Sequence, residues 1–444
     1  MRNAELNLSS IPNLLKVLME KEIYESYVKI LHEELLPAMG CTEPIAVAYA
    51  AALARHTLCA VPDRVVITVS GNILKNVKSV IVPSTGGLKG VSAAAAAGIV
   101  AGDHTKKLEV LSAVTEDDTK RVKEYLSSTP FTVKAADSGC VFDIGIRVFS
   151  GSDEAYVRIE GHHTNVVEIS KNGERTVIAE RGAENADEGL TDRTLLSVSK
   201  IIEFADCAEI TDIDDVIERQ IEFNLAIAKE GLAGEYGARV GKILLDSFGD
   251  GVHNVARATA AAGSDARMNG CPLPVVIVSG SGNQGMTASL PVVVYAEKIN
   301  SPREKLLRAV ALADLITIHL KTGIGRLSAY CGAVSAGAGA GAGIAYLYGG
   351  GFEEIAHTVV NALAITSGLI CDGAKSSCAA KIASAVDAGI LGYEMYKHGS
   401  QFYGGDGILR TGVENTIDNV CDIARVGMKE TDEEIIRLMI KDLS

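Results

Sequence analysis

The run "GAVSAGAGAGAGIAYLYGGG" at 332–351 constrains this chain more than any other stretch. It is uncharged throughout, and its Gly and Ala recur at the spacing that lets helices approach closely. Such a segment imitates a membrane span. Gly and Ala bury little apolar surface, however, and its flanks carry no basic anchor. The better account is a tightly packed interior helix or a glycine-rich loop, and either needs neighbours on all sides. A chain of 444 residues that is 47% hydrophobic can supply them, as two domains or as one large domain with an insertion.

A net charge of -14, with no basic stripe interleaved with aromatics, excludes nucleic acid as the expected partner. There is no Trp to build an aromatic cage or a membrane-interface belt. The opening "MRNAELNLSSIPNLLKVLMEKE" lacks the apolar core of a signal peptide, which predicts a cytoplasmic protein with reduced thiols. Its nine dispersed cysteines therefore read as small buried residues, metal ligands or reactive thiols, not as a disulfide framework.

Helical periodicity runs over 12–36, with Leu14, Leu15, Val17, Leu18, Ile23, Tyr27, Ile30 and Leu31 on one broad face. A second apolar helix is predicted over 43–56. The period then changes. "RVVITVSG" reads as a strand, "SAAAAAGIVAG" as a helix, "KLEVL" as a strand and "TEDDTKRVKEYLSS" as a charged helix. Four strand-like runs follow, "FTVKAA", "VFDIGIRVF", "EAYVRIEG" and "NVVEIS", the last ending in a "KNGE" hairpin turn. From about 190 onward the pattern is almost wholly helical. The expected fold is α+β, a large mostly helical domain with a smaller inserted α/β sheet domain. Its predicted parts are 1–60, helices packing on the C-terminal domain; 61–182, the sheet; and 183–444, the helical domain.

Two cysteines stand seven apart in "ICDGAKSSCAAK". Asp372-Gly373 marks a helix end, and Ser376 or Ser377 is a natural N-cap for the next helix, so Cys371 would leave one helix and Cys378 open another. A thiol at a helix N-terminus is favoured as thiolate. Two thiolates across a turn suit a centre larger than one atom; two buried small residues at a helix junction are the plain alternative. Cys331 precedes the Gly/Ala run, where glycine would let amides approach an anion or a cluster. In "AMGCTEPIAV", Gly40 permits a turn and Pro44 suits a first helical turn, which puts Cys41 just outside a helix start as a reactive or a structural thiol.

Two glycine-rich turns are candidate anion cups: "SGSGNQG", with Ser279, Asn283 and Gln284, and "VPSTGGLKG", with Ser84 and Thr85. Cys59, Cys140, Cys207 and Cys421 lack evident partners. His162 and His163, read on a strand, face opposite sides and cannot share one metal. No zinc-protease, hydrolase-elbow, P-loop or paired Cys-x-x-Cys motif is present.

"AMGCTEPIAVAYAAALAR", "NGCPLPVVIVSGSGNQG", the Cys331 segment and "CDGAKSSCAAKI" together resemble the iron–sulfur L-serine dehydratase alpha-chain superfamily, in the branch of L-cysteine desulfidase. The resemblance spans nearly the whole chain. It implies a [4Fe–4S] cluster on Cys331, Cys371 and Cys378, with a catalytic Cys41. It also implies a lyase that converts L-cysteine to pyruvate, ammonia and sulfide. Three protein thiolates leave one iron open as a Lewis acid. Cys41 is the expected base, with Glu43 competing for that role; Ser84, Thr85, Ser279, Asn283 and Gln284 are the expected substrate-binding residues. The expected partner is a small amino-acid substrate, and large helical surfaces favour a homodimer. Three rivals remain: L-serine as substrate, pyridoxal phosphate on Lys89 or Lys375, and a non-catalytic metal-binding or redox-sensing protein.

Overall fold

The computed structural model describes residues 19–178, 190–325 and 327–441. The helical turns predicted at 12–18 and the boundary at 182–183 lie outside the described residues. In chain order the elements are α1 (Lys21–Glu34), β1 (Pro37–Met39), α2 (Thr42–Leu58), β2 (Arg64–Val69), α3 (Gly71–Val77), α4 (Val91–Ala101), α5 (Glu116–Ser128), β3 (Phe131–Ala135), β4 (Asp143–Ser150), β5 (Asp153–Glu160), β6 (Val166–Lys171) and β7 (Glu174–Ile178). The helical part follows: α6 (Val198–Cys207), α7 (Asp214–Ala233), α8 (Val240–Phe248), α9 (Val252–Met268), β8 (Pro274–Val276), α10 (Gly282–Lys298), α11 (Arg303–Ile324), α12 (Gly332–Leu347), α13 (Phe352–Thr366), α14 (Cys378–Lys397), α15 (Val413–Asp422) and α16 (Lys429–Lys441). The fold is α+β.

Six strands form one sheet in the order β3-β2-β4-β5-β6-β7, parallel only between β2 and β3. Central β4 is buried over its first four residues, which matches its apolar run. β6 and β7 join through Asn172 and Gly173, both at positive φ, as the "KNGE" turn requires. Thr115 and Asp118 cap α5 reciprocally. The strand predicted at "KLEVL" does not form. Asp103 instead caps a 3₁₀ segment, His104–Glu109, and Leu108 and Leu111 are buried beneath it with no strand to pair against.

The two N-terminal helices go to different places. In α1, Tyr24 and Tyr27 each pack on Phe204 of α6 with ring centroids 5.4 Å apart, and Tyr24 donates to Asp212. α2 lies across β4 and β5 instead, and its alanine face lets α4 approach it backbone to backbone. A Cβ on Gly98 of α4 would stand 2.1 Å from the Ala48 carbonyl oxygen.

The Gly/Ala run is the interior helix α12, and it touches two neighbours through opposite glycines. Cβ atoms on Gly337 and Gly341 would meet the carbonyl oxygens of Ala385 and Gly389 of α14, at 2.3 and 2.5 Å. On the other side Gly339 faces the Ala313 carbonyl oxygen of α11 at 2.4 Å. Each mid-helix glycine costs about 1 kcal/mol relative to alanine, which close packing offsets here. Among the described residues no helix is long and apolar enough to cross a membrane.

Candidate active site

The constant offset between the pairs Gly337–Ala385 and Gly341–Gly389 means that α12 and α14 run parallel and in step. Their N-termini therefore lie side by side, with Cys331 as N-cap of α12 and Cys378 as the first residue of α14. Cys371 joins them by another route. α13 stops at Thr366, and the chain then pairs Ile370 with Tyr330. The Cys371 N–H donates to the Ala329 carbonyl at 2.6 Å, and the Cys331 N–H to the Leu369 carbonyl at 3.1 Å. Cys371 thus sits in an extended bridge and not at a helix end, as its spacing had predicted. Gly373 holds the expected positive φ of +91°, and a Cβ there would collide with the Lys75 carbonyl oxygen at 2.2 Å.

All three are free, half-buried thiols. Burial first, and then Cys371 and Cys378, push the Cys331 thiol up to about 12; Lys381 works against this. Burial likewise raises Cys378 over the lowering influence of the Lys375 amide. A free helix-terminal thiolate is thus not favoured here, because desolvation outweighs the helix dipole. Asp372, although burial opposes it, is held down to about 2 by ion pairs with Lys375 and Lys381. Among the described residues, no three His, Cys, Asp or Glu side chains are drawn around one point closely enough to hold a single metal ion. A cluster is a wider body than one ion. Three soft sulfur donors suit an iron–sulfur cluster in chemistry.

Cys41 belongs to the same neighbourhood. It caps α2 and is 3% exposed, packed with Val80 and Met268, and Ala374 and Cys378 close the cluster. Its Sγ–H donates to Glu43 Oε2 at 3.1 Å. Burial and then the Glu43 carboxylate push the thiol well above its ordinary range, while Arg267 pulls it back. The thiol expected at this helix start, reactive or structural, is thus a buried one beside a carboxylate.

Short-range packing joins this segment to both glycine-rich turns. β1 pairs antiparallel with β8, and Thr42 Oγ1 donates to the Gly280 carbonyl at 2.9 Å. Ser279 and Gly280 both take positive φ in the tight turn that opens α10. Gln284 lies against the start of α12, where a Cβ on Gly332 would meet its Cδ at 2.7 Å. Asn283 accepts from Arg267 and donates to the Met268 sulfur. In the other turn, Pro83 packs against Gly40, but the buried Thr85 hydroxyl donates to the Val82 carbonyl and Ser84 is at positive φ. That hydroxyl braces the loop. Lys89 is exposed, and Lys375 is paired with Asp372. His163 leaves the strand expected for it, sits in the β5–β6 turn and packs edge-on against Phe142.

A cleft of about 1070 Å³ runs between the sheet and the helical part, bounded by Ser70, Cys140 and Glu160 on one side and Lys321, Ala329 and Asp432 on the other. It reaches the site at Ser279 and at Ala329, the acceptor for Cys371. Arg267, 2% exposed near the end of α9, is the site residue that motif reading missed. The available signal was a lone arginine in the small-residue stretch "ATAAAGSDARMNG".

A sequence profile described as "Serine dehydratase alpha chain" matches residues 105–437, which takes in Cys331, Cys371, Cys378, Arg267 and the 279–285 turn. Cys41 and the 82–90 turn precede the matched region. The chain is similar to the UPF0597 protein of Desulfitobacterium hafniense (strain Y51), 59% identical over 95% of this chain and 98% of that protein. It is 50% identical to the UPF0597 protein of Lachnoclostridium phytofermentans, over 94% of this chain and 100% of that one. The figure for the UPF0597 protein of Treponema denticola is 46%, over 96% and 100%. The likeness to these relatives therefore extends through both the sheet and the helical parts.

Proposed function

This chain belongs to the iron–sulfur serine dehydratase alpha-chain family, and from that premise we propose that it is an L-cysteine desulfidase, a lyase whose overall reaction is L-cysteine plus water to pyruvate, ammonia and hydrogen sulfide. The observation that carries the reading is the buried Cys41–Glu43 hydrogen bond, in the same packed cluster as Cys378. Cys331, Cys371 and Cys378 are the proposed holders of a [4Fe–4S] cluster, which when bound would supply a Lewis acid at its open iron.

The chain's own groups handle the proton. Glu43 Oε2 takes the Cys41 Sγ proton, and the resulting thiolate removes the substrate Cα proton. The Cα–H electron pair becomes the Cα=Cβ bond as the Cβ–S bond breaks and sulfide departs. The aminoacrylate left behind tautomerises and is hydrolysed to pyruvate and ammonia. Burial makes the Cys41 thiolate costly to form, and correspondingly strong as a base once Glu43 has taken its proton. The family's description favours a second reading, in which L-serine loses water at the same residues.

The test is anaerobic purification with counts of iron and acid-labile sulfide, followed by pyruvate assays on both amino acids. About four of each per chain are expected, with L-cysteine the better substrate and activity lost in Cys371→Ala. Glu43→Gln should lower kcat roughly 100-fold or more. A higher kcat/KM for L-serine selects the second reading. Absence of iron together with no pyruvate from either amino acid would overturn both.

A further inference from the structure

Arg267 is a buried cation with two of its three guanidinium nitrogens unused. Nη1 donates to Asn283 Oδ1 at 3.1 Å, but Nε and Nη2 have no acceptor among the described residues. These two N–H groups form one edge of the guanidinium, the edge that grips a carboxylate through two parallel hydrogen bonds. Arg158 uses it in this same protein, holding Asp143 through Nε and Nη2 at 2.9 and 2.8 Å. Among the described residues no such carboxylate meets Arg267, and a buried charge without a counter-charge is strongly unfavourable unless something else completes it.

Only the absence of a side chain on the neighbouring backbone leaves that edge uncovered. A Cβ on Gly282, the first residue of α10, would stand 2.6 Å from Arg267 Nε and 2.4 Å from Val275 Cγ2, so only glycine fits there. That residue opens α10, whose first N–H groups have no side-chain cap. One turn of sequence away, Gln284 has the opposite need: its Oε1 is a buried acceptor without a donor. Gln284 abuts Gly332, next to Cys331, while the Arg267 charge acts on Cys41. An orphan donor pair and an orphan acceptor thus flank the two cysteine groups.

We propose that Arg267 clamps the α-carboxylate of the substrate through Nε and Nη2, with Gln284 Oε1 accepting from its ammonium group. This rests on the lyase reading and assigns the groups that hold the substrate's α-carboxylate and ammonium. A single guanidinium edge in a buried setting matches a monoanionic carboxylate. Asn283, already engaged by Arg267, holds the guanidinium in orientation and does not itself touch substrate.

The test uses anaerobically prepared holoenzyme and two ligands that carry no leaving group, L-alanine and L-alaninamide, titrated by calorimetry. The wild type should bind L-alanine roughly 30-fold or more tightly than the amide, the value of a charge-assisted bidentate contact. Arg267→Met should bind both alike and melt no lower than the wild type, since it removes an unpaired buried charge. Arg267→Lys should retain part of the preference. Unchanged preference in Arg267→Met would overturn the proposal, as would a wild type that binds neither ligand. Equal loss of both ligands in the two variants, with lower melting temperatures, would show a structural arginine instead. If the preference vanishes in Arg267→Met while the wild type makes no pyruvate from L-cysteine or L-serine, the clamp stands and the lyase reading falls. If the wild type is a lyase and Arg267→Met still prefers L-alanine, the reverse holds.

Discussion

Asp265 is fully buried two residues before Arg267, and its Oδ2 accepts the Gly241 N–H at 3.0 Å near the start of α8. Burial lifts its carboxyl from 3.8 to about 6, against the pull of the Gly241 and Val240 amides. The folded chain therefore keeps this proton to a higher pH than the unfolded chain does. The group's contribution to stability is at its best below about pH 4, declines as pH rises through 4 to 6, and stays low above that. Asp265→Asn should flatten this decline and raise stability at neutral pH by roughly 1–3 kcal/mol, read from denaturant midpoints across pH. A steeper decline in the variant would refute the assignment. The same competition governs Cys41. Its place at the start of a helix was legible from Gly40 and Pro44, whereas its protonation was not, because that depends on a burial no local pattern reports.

At the scale of elements, the parallel pair α12 and α14 brings two cysteines together, and glycine makes the approach possible. Gly389→Ala would put a Cβ 2.1 Å from the Gly337 carbonyl oxygen. Overpacking of this kind costs roughly 1–3 kcal/mol, so the variant should melt lower and, with its N-termini splayed, bind less iron per chain. A variant that melts and loads like the wild type would show that the close approach is dispensable. The spacing of Gly and Ala made close packing legible, and the helix became certain only with α11 and α14 on its two sides. β1 and β8 were illegible for a different reason: three residues are too few to show a period. The bridge that carries Cys371 is shorter still.

Across the whole molecule, Lys75 of α3 pairs with Asp432 of α16 at 2.5 Å, with the lysine side chain 2% exposed. The contact ties the sheet part to the C-terminal helix where the two border the cleft. Asp432→Ala would strand a buried ammonium group and should destabilise the fold by roughly 3–5 kcal/mol. Adding Lys75→Met should recover most of that loss in a chemical denaturation series; no recovery would mean that the pair does not couple the two parts. Periodicity, caps and turn residues by themselves determined the α+β order, the starts of α2 and α14, and the cysteines that stand at them, because each of these depends on neighbours within a few positions. Only the tertiary structure decided that Cys41 and Cys378 share one packed cluster, that Cys371 reaches Cys331 through a bridge, that α2 lies on the sheet, and that Arg267 is buried with an unpartnered edge. Those contacts join residues far apart in the chain, and a side chain's burial and unmet hydrogen bonds are properties of everything packed around it.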